Sequence, residues 1–361
     1  MVRLIRRVLR VLPLRWIAAA ILAFIAFWAI VAALMTAVAV LVARLLRRGA
    51  PRRLDGRVVV ITGSSRGLGL ALAEECARRG GRVVLNARRA DELEEARQRI
   101  ASFGPEPLAV VCDVRDREQA RRLIERATER FGRVDALINN AGVISVGPLE
   151  AQTLDDFRDA MDTMYWGTVY TTTAVLPQMR ARREGDIVNI TSIGGKVSVP
   201  HLLPYNGAKF AAVGFSEGLH AEVSKDGINV LTVVPGLMRT GSPERALFRG
   251  DPEAEHTWFD LAASLPVTST SAERAARLIV DAMLRRKTEL IITPQAQVAA
   301  RVHGAFPGAA VRVASIANRV LPHSDRSDVA KRGYESETAI TESALTSHGQ
   351  EAERRWQHGV E

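Results

Sequence analysis

Six short apolar runs recur along the chain, each separated from the next by a segment long enough to hold a helix. They are RVVVIT (57–62), RVVLN (82–86), LAVVC (108–112), DALIN (135–139), DIVNI (186–190) and INVLTVV (228–234). A strand that is apolar throughout, rather than at alternate positions, is covered on both faces, which is the condition of a parallel sheet with helices on either side. Parallel neighbours also need a long crossover, and the intervening segments supply it. The pattern predicts an α/β domain on a doubly wound parallel sheet, with a seventh run, LIIT (290–293), closing it. Residues 236–270, rich in Pro, Gly, Ser and Thr, break the rhythm, and the expectation there is a loop that covers substrate.

The charge of the chain is uneven. Its formal +9 is owed to residues 1–53, which hold ten arginines and no acid, so the remainder sums to −1 and no nucleic-acid-binding footprint is left. Between Arg15 and Arg44 runs an uncharged, apolar stretch that as a helix would reach about 42 Å, more than the roughly 30 Å of a bilayer core. A single transmembrane helix over 16–43 is expected, since a cleaved signal peptide has a shorter apolar region. Five arginines flank each side of it, and orientation cannot be taken from their balance. The expected organisation is a basic arm (1–15), the span (16–43), a basic linker (44–54), the α/β domain (55–293), an amphipathic extension (294–322) and a polar tail (323–361), disordered except near its end. Cys76 and Cys112 are too few for a disulfide framework or a zinc site and read as core residues, so no metal is expected. The glycosylation-like triplet at Asn189 sits in a strand-like run and reads as accidental.

The segment TGSSRGLG follows the first run and opens a helix. Gly63, Gly67 and Gly69 allow a tight turn and close backbone approach, while Ser65, Arg66 and Leu68 lie where unpaired helix N–H groups meet a pyrophosphate. About 20 residues on, an acid would hold a ribose 2′-hydroxyl. This chain has Asn86 and Ala87 there, followed by Arg88 and Arg89, which with Arg66 favour the 2′-phosphate of NADP(H) over NAD(H). Further along, YNGAK places Tyr205 and Lys209 one helical turn apart on one face, so that the lysine is expected to shift the phenol toward ionisation. Ser192 lies just past the fifth strand, where a hydroxyl can meet a carbonyl oxygen.

Taken together, TGSSRGLG, NNAG (139–142), Ser192, YNGAK and PGLMRTG (235–241) resemble the short-chain dehydrogenase/reductase family over about residues 55–293. The resemblance implies a Rossmann fold in which Tyr205 is the catalytic acid/base, Ser192 orients the carbonyl, and Lys209 tunes the tyrosine and binds the nicotinamide ribose. It further implies that Asp113 and its neighbour Val114 meet the adenine, that Asn139, Ala141 and Gly142 line the cofactor cleft, and that Pro235, Gly236 and Thr240 flank the nicotinamide. Homodimers or homotetramers are the implied assemblies. One position departs: where the family usually has an asparagine that holds a water behind the lysine, this chain has Met164, whose thioether cannot donate. The expected activity is NADP(H)-dependent interconversion of an apolar, lipid-like carbonyl and alcohol, by an enzyme held on membrane lipid with its catalytic domain in the cytoplasm, where the cofactor is. A cofactor-binding scaffold or redox sensor with little turnover is the alternative, and Met164 is its support.

Overall fold

The first strand, β1 (Val58–Ile61), sets the layering: Val59 and Ile61 pack into one apolar cluster while Val58 and Val60 pack into another on the opposite side. The computed structural model describes residues 53–265, 269–324, 329–341, 343 and 346–357, with Trp28, 31–36 and 38 near the N-terminus. The chain divides into two compact units, Met1–Pro51 and Arg52–Glu361. Most of the expected span, with the basic arm and nearly all of the linker, lies outside the described residues; those described within the span are helical. Among the described residues no helix is long and apolar enough to cross a membrane.

The strands after β1 are β2 (Arg82–Ala87), β3 (Leu108–Val111), β4 (Ala136–Asn139), β5 (Ser145–Val146), β6 (Gly185–Ile190), β7 (Ile228–Val234), β8 (Leu237–Arg239), β9 (Leu247–Arg249), β10 (Ser269–Ser271), β11 (Glu289–Ile291) and β12 (Ala330–Arg332). The helices are α1 (Gly67–Arg78), α2 (Ala90–Ala101), α3 (Arg117–Phe131), α4 (Leu154–Met161), α5 (Gly167–Arg182), α6 (Leu203–Val223), α7 (Ser242–Arg245), α8 (Pro252–Ser264), α9 (Ala272–Leu284), α10 (Pro294–Ala305), α11 (Pro307–Ala317) and α12 (Ser347–Trp356). Seven strands form one parallel sheet in the order β11-β7-β6-β4-β1-β2-β3. The chain runs outward from β1 to β3 and then restarts on the other side of β1 with β4, leaving a crevice at the carboxyl ends of β1 and β4 where such sheets bind ligands. The expected doubly wound sheet and its closing strand are both present. Helices α1, α2 and α9 cover one face through Leu70, Leu93 and Ile279, and α3, α5 and α6 cover the other through Leu123, Val175 and Val223.

Local signals fix the element ends. Asp116 caps α3 by accepting from the backbone N–H of Glu118 and Gln119, and Gly132 ends that helix at φ 83°. Thr153 and Asp156 form a reciprocal capping box that starts α4. Both cysteines are buried and free. Asn189 is buried within β6, its side chain bonded to Asn139 and Ser216, so the triplet there is structural.

Two regions depart from expectation. Residues 236–270 are more than a loop: they contain β8, α7, β9, α8 and β10, with β10 paired to β8 and β9 lying between β5 and β12. The cause is a small apolar centre of their own, in which Phe248 and Phe259 pack with Val146 and Leu202, and an α8 started by Asp251 and Pro252. The tail, expected to be disordered except near its end, supplies β12 as well as α12 near that end. Trp356 is the reason: it is 1% exposed, joins the main core cluster, and has the Arg99 guanidinium 4.7 Å from its ring centroid. Arg99 also donates to the Arg355 carbonyl at 2.6 Å. Truncation by Trp356→Ala is expected to cost about 3–5 kcal/mol, measured as a lower urea midpoint; an unchanged midpoint would mean that the tail adds nothing to the core.

Candidate active site

The floor of the crevice is the turn between β1 and α1. A side chain on Gly69 would come within 2.1 Å of the Gly63 carbonyl oxygen, and Gly67 takes φ 57°, so neither position tolerates a substitute without movement. Arg66 stands at the N-cap of α1, yet no side chain caps the helix. The first-turn N–H groups therefore keep the free donors that a pyrophosphate requires, with Leu68 buried beneath them. The turn is tied to β4 by Asn140, whose side chain donates to the carbonyls of Thr62 at 3.0 Å and Gly63 at 2.9 Å. The Thr62 hydroxyl accepts in return from the backbone N–H of Asn140 and Ala141. Sequence reasoning named only the first asparagine of NNAG; the pair itself was the signal for the second. Asn139 is buried and donates to Thr172 and Asn189, a supporting role beneath the cleft.

Beyond β2 the cations gather around a carboxylate that sequence reasoning missed. Glu92 is buried, accepts from Arg66 at 2.7 Å, and lies 3.4 Å from Arg89 and 3.8 Å from Arg245. Arg89 is also paired with Asp91 at 2.7 Å. Arg88 is exposed and lies near enough to Asp113 and Arg66 for their charges to interact, with no ion pair within 4 Å among the described residues. Asn86 is occupied structurally, donating to the carbonyls of Val110 and Cys112. No carboxylate ends β2. On the adenine side, burial opposes ionisation of Asp113, but the guanidinium of Arg115 at 2.6 Å outweighs it and holds the carboxyl below its ordinary range. Val114 is buried against Gly167, where a β-carbon would come within 2.8 Å of it.

Across the crevice, the Pro235 carbonyl accepts from the Ile193 N–H at 2.8 Å, joining the segment that carries Ser192 to the one that carries Thr240. Gly236 leaves room for Thr293, whose hydroxyl would stand 2.5 Å from a β-carbon there. The Thr240 carbonyl is held by Gln357 of the tail at 2.8 Å, and Thr240 and Gln357 both flank Gly67. A cavity of about 290 Å³ lies beside Thr240, but Glu244, Asp260 and Glu353 line it rather than Ser192 and Tyr205. Burial and the neighbouring carboxylates push Glu353 up to about 7.

Ser192, Tyr205 and Lys209 are brought together. Ser192 follows the end of β6, its hydroxyl accepts from the Gly194 N–H at 3.1 Å, and it lies near enough to Tyr205 to bear on the titration of the phenol. Lys209 is buried, donates through Nζ to the Ile190 carbonyl at 2.9 Å, and stands 5.6 Å from the Tyr205 ring centroid. The expected shift of the phenol toward ionisation is corrected: burial raises Tyr205 above its usual 10, and the nearby Ser192 hydroxyl offsets only part of this. Burial also lowers Lys209 to about 8, so the group meant to supply the charge is itself driven toward neutrality. Met164 sits at the centre of a π-helical turn, Asp162–Trp166, between α4 and α5, and packs with Ala160 and Ala208 in a cluster that also includes Tyr205. Its carbonyl accepts from the Thr168 hydroxyl, and the buried Thr163 hydroxyl of the same turn has no hydrogen-bond partner among the described residues, so the wider turn carries polar groups even though its side chain at 164 does not.

The short chain dehydrogenase family profile matches residues 57–246. The chain belongs to the short-chain dehydrogenase family. It is an oxidoreductase acting on CH–OH groups. Among its relatives, a dehydrogenase/reductase SDR family protein 7-like of Anopheles gambiae is 35% identical over 76% of this chain and 88% of that protein. 11-beta-hydroxysteroid dehydrogenase A of Sesamum indicum is 36% identical over 64% of this chain and 66% of its own length. Among solved structures, a short-chain dehydrogenase from Streptomyces avermitilis is similar with a TM-score of 0.63 and 32% identity, over 73% of this chain and 98% of that one. L-sorbose reductase from Gluconobacter frateurii, complexed with NADPH and L-sorbose, gives a TM-score of 0.61 at 28% identity, over 67% and 97%.

The shifted lysine of this dehydrogenase has a thermodynamic consequence. Because the folded value of about 8 lies below the ordinary 10.5, the unfolded chain holds that proton over an interval in which the folded chain has released it. Stability should therefore rise by an amount on the order of 3 kcal/mol between those pH values. Urea titrations of wild type and Lys209→Met from pH 7.5 to 10 measure the difference. The rise should be absent from the variant, and Tyr205, raised above 10, should contribute only a loss at still higher pH.

Proposed function

We propose that this dehydrogenase is an NADP(H)-dependent carbonyl reductase for an apolar, lipid-like ketone or aldehyde, anchored to a membrane by residues 16–43 with its catalytic domain in the cytoplasm and working as a homodimer or homotetramer. The observation that carries the cofactor preference is the end of β2, which lacks a carboxylate and is followed by Arg88 and Arg89, with Arg66 alongside. The NADPH held by L-sorbose reductase supports it by similarity. The apolar substrate rests on the uncharged N-terminal stretch and on relatives named for hydroxysteroids.

The residues present fit the cofactor: an uncapped α1 N-terminus for the pyrophosphate, an exposed Arg88 for the 2′-phosphate, and Thr240 beside Gly67 for the nicotinamide end. Bound NADPH supplies the hydride to the carbonyl carbon. Ser192 lies near enough to Tyr205 to bear on its titration, and a substrate oxygen placed between their hydroxyls would accept from both. A phenol raised above 10 is fully protonated near neutrality, so Tyr205 is poised as a donor to the oxygen as negative charge develops on it. That polarity favours reduction. Lys209, pinned to Ile190, holds the helix that presents Tyr205. The assembled trio favours turnover over the scaffold alternative.

Dissociation constants for NADPH and NADH test the preference: NADPH should bind at least about tenfold more tightly, through a charge-assisted contact, and Arg88→Asp should move the ratio toward NADH. Equal affinities in wild type would refute it. For the chemistry, Tyr205→Phe should lower kcat for ketone reduction by about 10²–10⁴-fold while NADPH binding is retained; a wild type as inert as that variant would favour the scaffold.

A further inference from the structure

Helix α11 contradicts the usual rule for its composition. Val311, Val313 and Ile316 make it apolar, yet none of its residues is buried, and Val313 and Ile316 are 66% and 62% exposed. Val311 and Val313, two residues apart, point to nearly opposite sides, so the exposure is not one stray face. The neighbouring α10 buries only Ala296, and Val298, Phe306 and Val320 extend the exposed apolar surface to either side. Apolar side chains exposed on more than one side of a helix mark an interaction surface, and the fold buries none of this one.

The charges select the occupant. From Leu290 to Ser324 the chain has no acidic residue, while Arg301, Arg312 and Arg319 punctuate it. At 11 residues α11 is too short to span a bilayer. It matches a segment lying in the interface, with apolar side chains among the acyl chains and guanidiniums at anionic headgroups. The surface also adjoins the catalytic helix: His303 of α10 lies 6.5 Å from the ring of Phe210 on α6, the helix of Tyr205 and Lys209, and Leu203 and Phe210 of α6 are exposed.

We propose that the α10–α11 hairpin is a bilayer-docking surface for anionic lipid, separate from the N-terminal stretch, and that it presents the α6 side of the active site to substrate dissolved in the membrane. The second clause rests on the apolar-substrate reading above; the first does not.

The test uses the full chain reconstituted into phosphatidylcholine vesicles containing phosphatidylglycerol, with an environment-sensitive fluorophore attached through Val313→Cys. Cys76 and Cys112 are buried, and the unsubstituted chain gives the blank. Gln98→Cys on α2, exposed at the opposite edge of the sheet, is the control. Brominated acyl chains should quench the Val313→Cys label about threefold or more relative to the control, as an interfacial depth requires, and Arg301→Gln with Arg312→Gln and Arg319→Gln should weaken that quenching. Equal quenching at the two positions overturns the proposal, as does a Val313→Cys label shielded by crosslinkable contact with a second copy instead of lipid. An alkaline wash separates the anchor from the docking: release of the chain would count against the anchor, while quenching read before the wash still decides the hairpin. For the substrate, Ile316→Glu should raise KM for a membrane-dissolved ketone about tenfold and leave NADPH affinity and turnover of a water-soluble ketone unchanged. Equal effects on both ketones would overturn the membrane-side entrance.

Discussion

The hydrogen bond from Lys209 Nζ to the Ile190 carbonyl is the contact on which the site depends. Ile190 is the last residue of β6, and the bond pins α6 to the carboxyl edge of the sheet at that point. One turn earlier on the same helix stands Tyr205, and two residues beyond Ile190 stands Ser192, so one contact bears on the placement of both. Burying an ammonium costs free energy, and the cost appears as the lysine's fall to about 8. A carbonyl is a neutral acceptor, so it holds the lysine in position without fixing its charge as a carboxylate would.

Around this point the chain ties later segments back to the cofactor turn. Glu92 gathers Arg66 of the glycine turn, Arg89 of the β2 end and Arg245 of the inserted region at one buried carboxylate. Gln357, near the end of the chain, holds the Thr240 carbonyl beside Gly67. Both contacts couple the walls of the cleft to segments that the parallel sheet does not itself contain. The packing of Trp356 therefore bears on the geometry of the cleft as well as on stability.

The parallel sheet was legible because its strands are buried on both faces, and burial on both faces writes a continuous apolar run. The short strands β5, β8, β9, β10 and β12 have two or three residues each and leave no such run. The tail misled because its polar composition outweighs one tryptophan in a sequence average, whereas in the fold that side chain alone fills a place in the core. Tyr205, Lys209 and Ser192 were readable from spacing and position, but the direction of the tyrosine shift was not. Spacing shows that a cation is near; only burial shows that the cation is itself being neutralised. Likewise Met164 was legible as a departure, while the π-helical turn around it depends on how α4 and α5 join.

The central claim is that Tyr205 stands as a protonated donor in the cofactor-free chain. Titration of ¹³C-labelled tyrosine by NMR, with the Tyr205 resonance assigned by its loss in Tyr205→Phe, measures this directly. The account predicts a signal that remains that of the phenol to pH 10 and beyond, later than an ordinary tyrosine. A Tyr205 signal that converts to phenolate near neutral pH would contradict it.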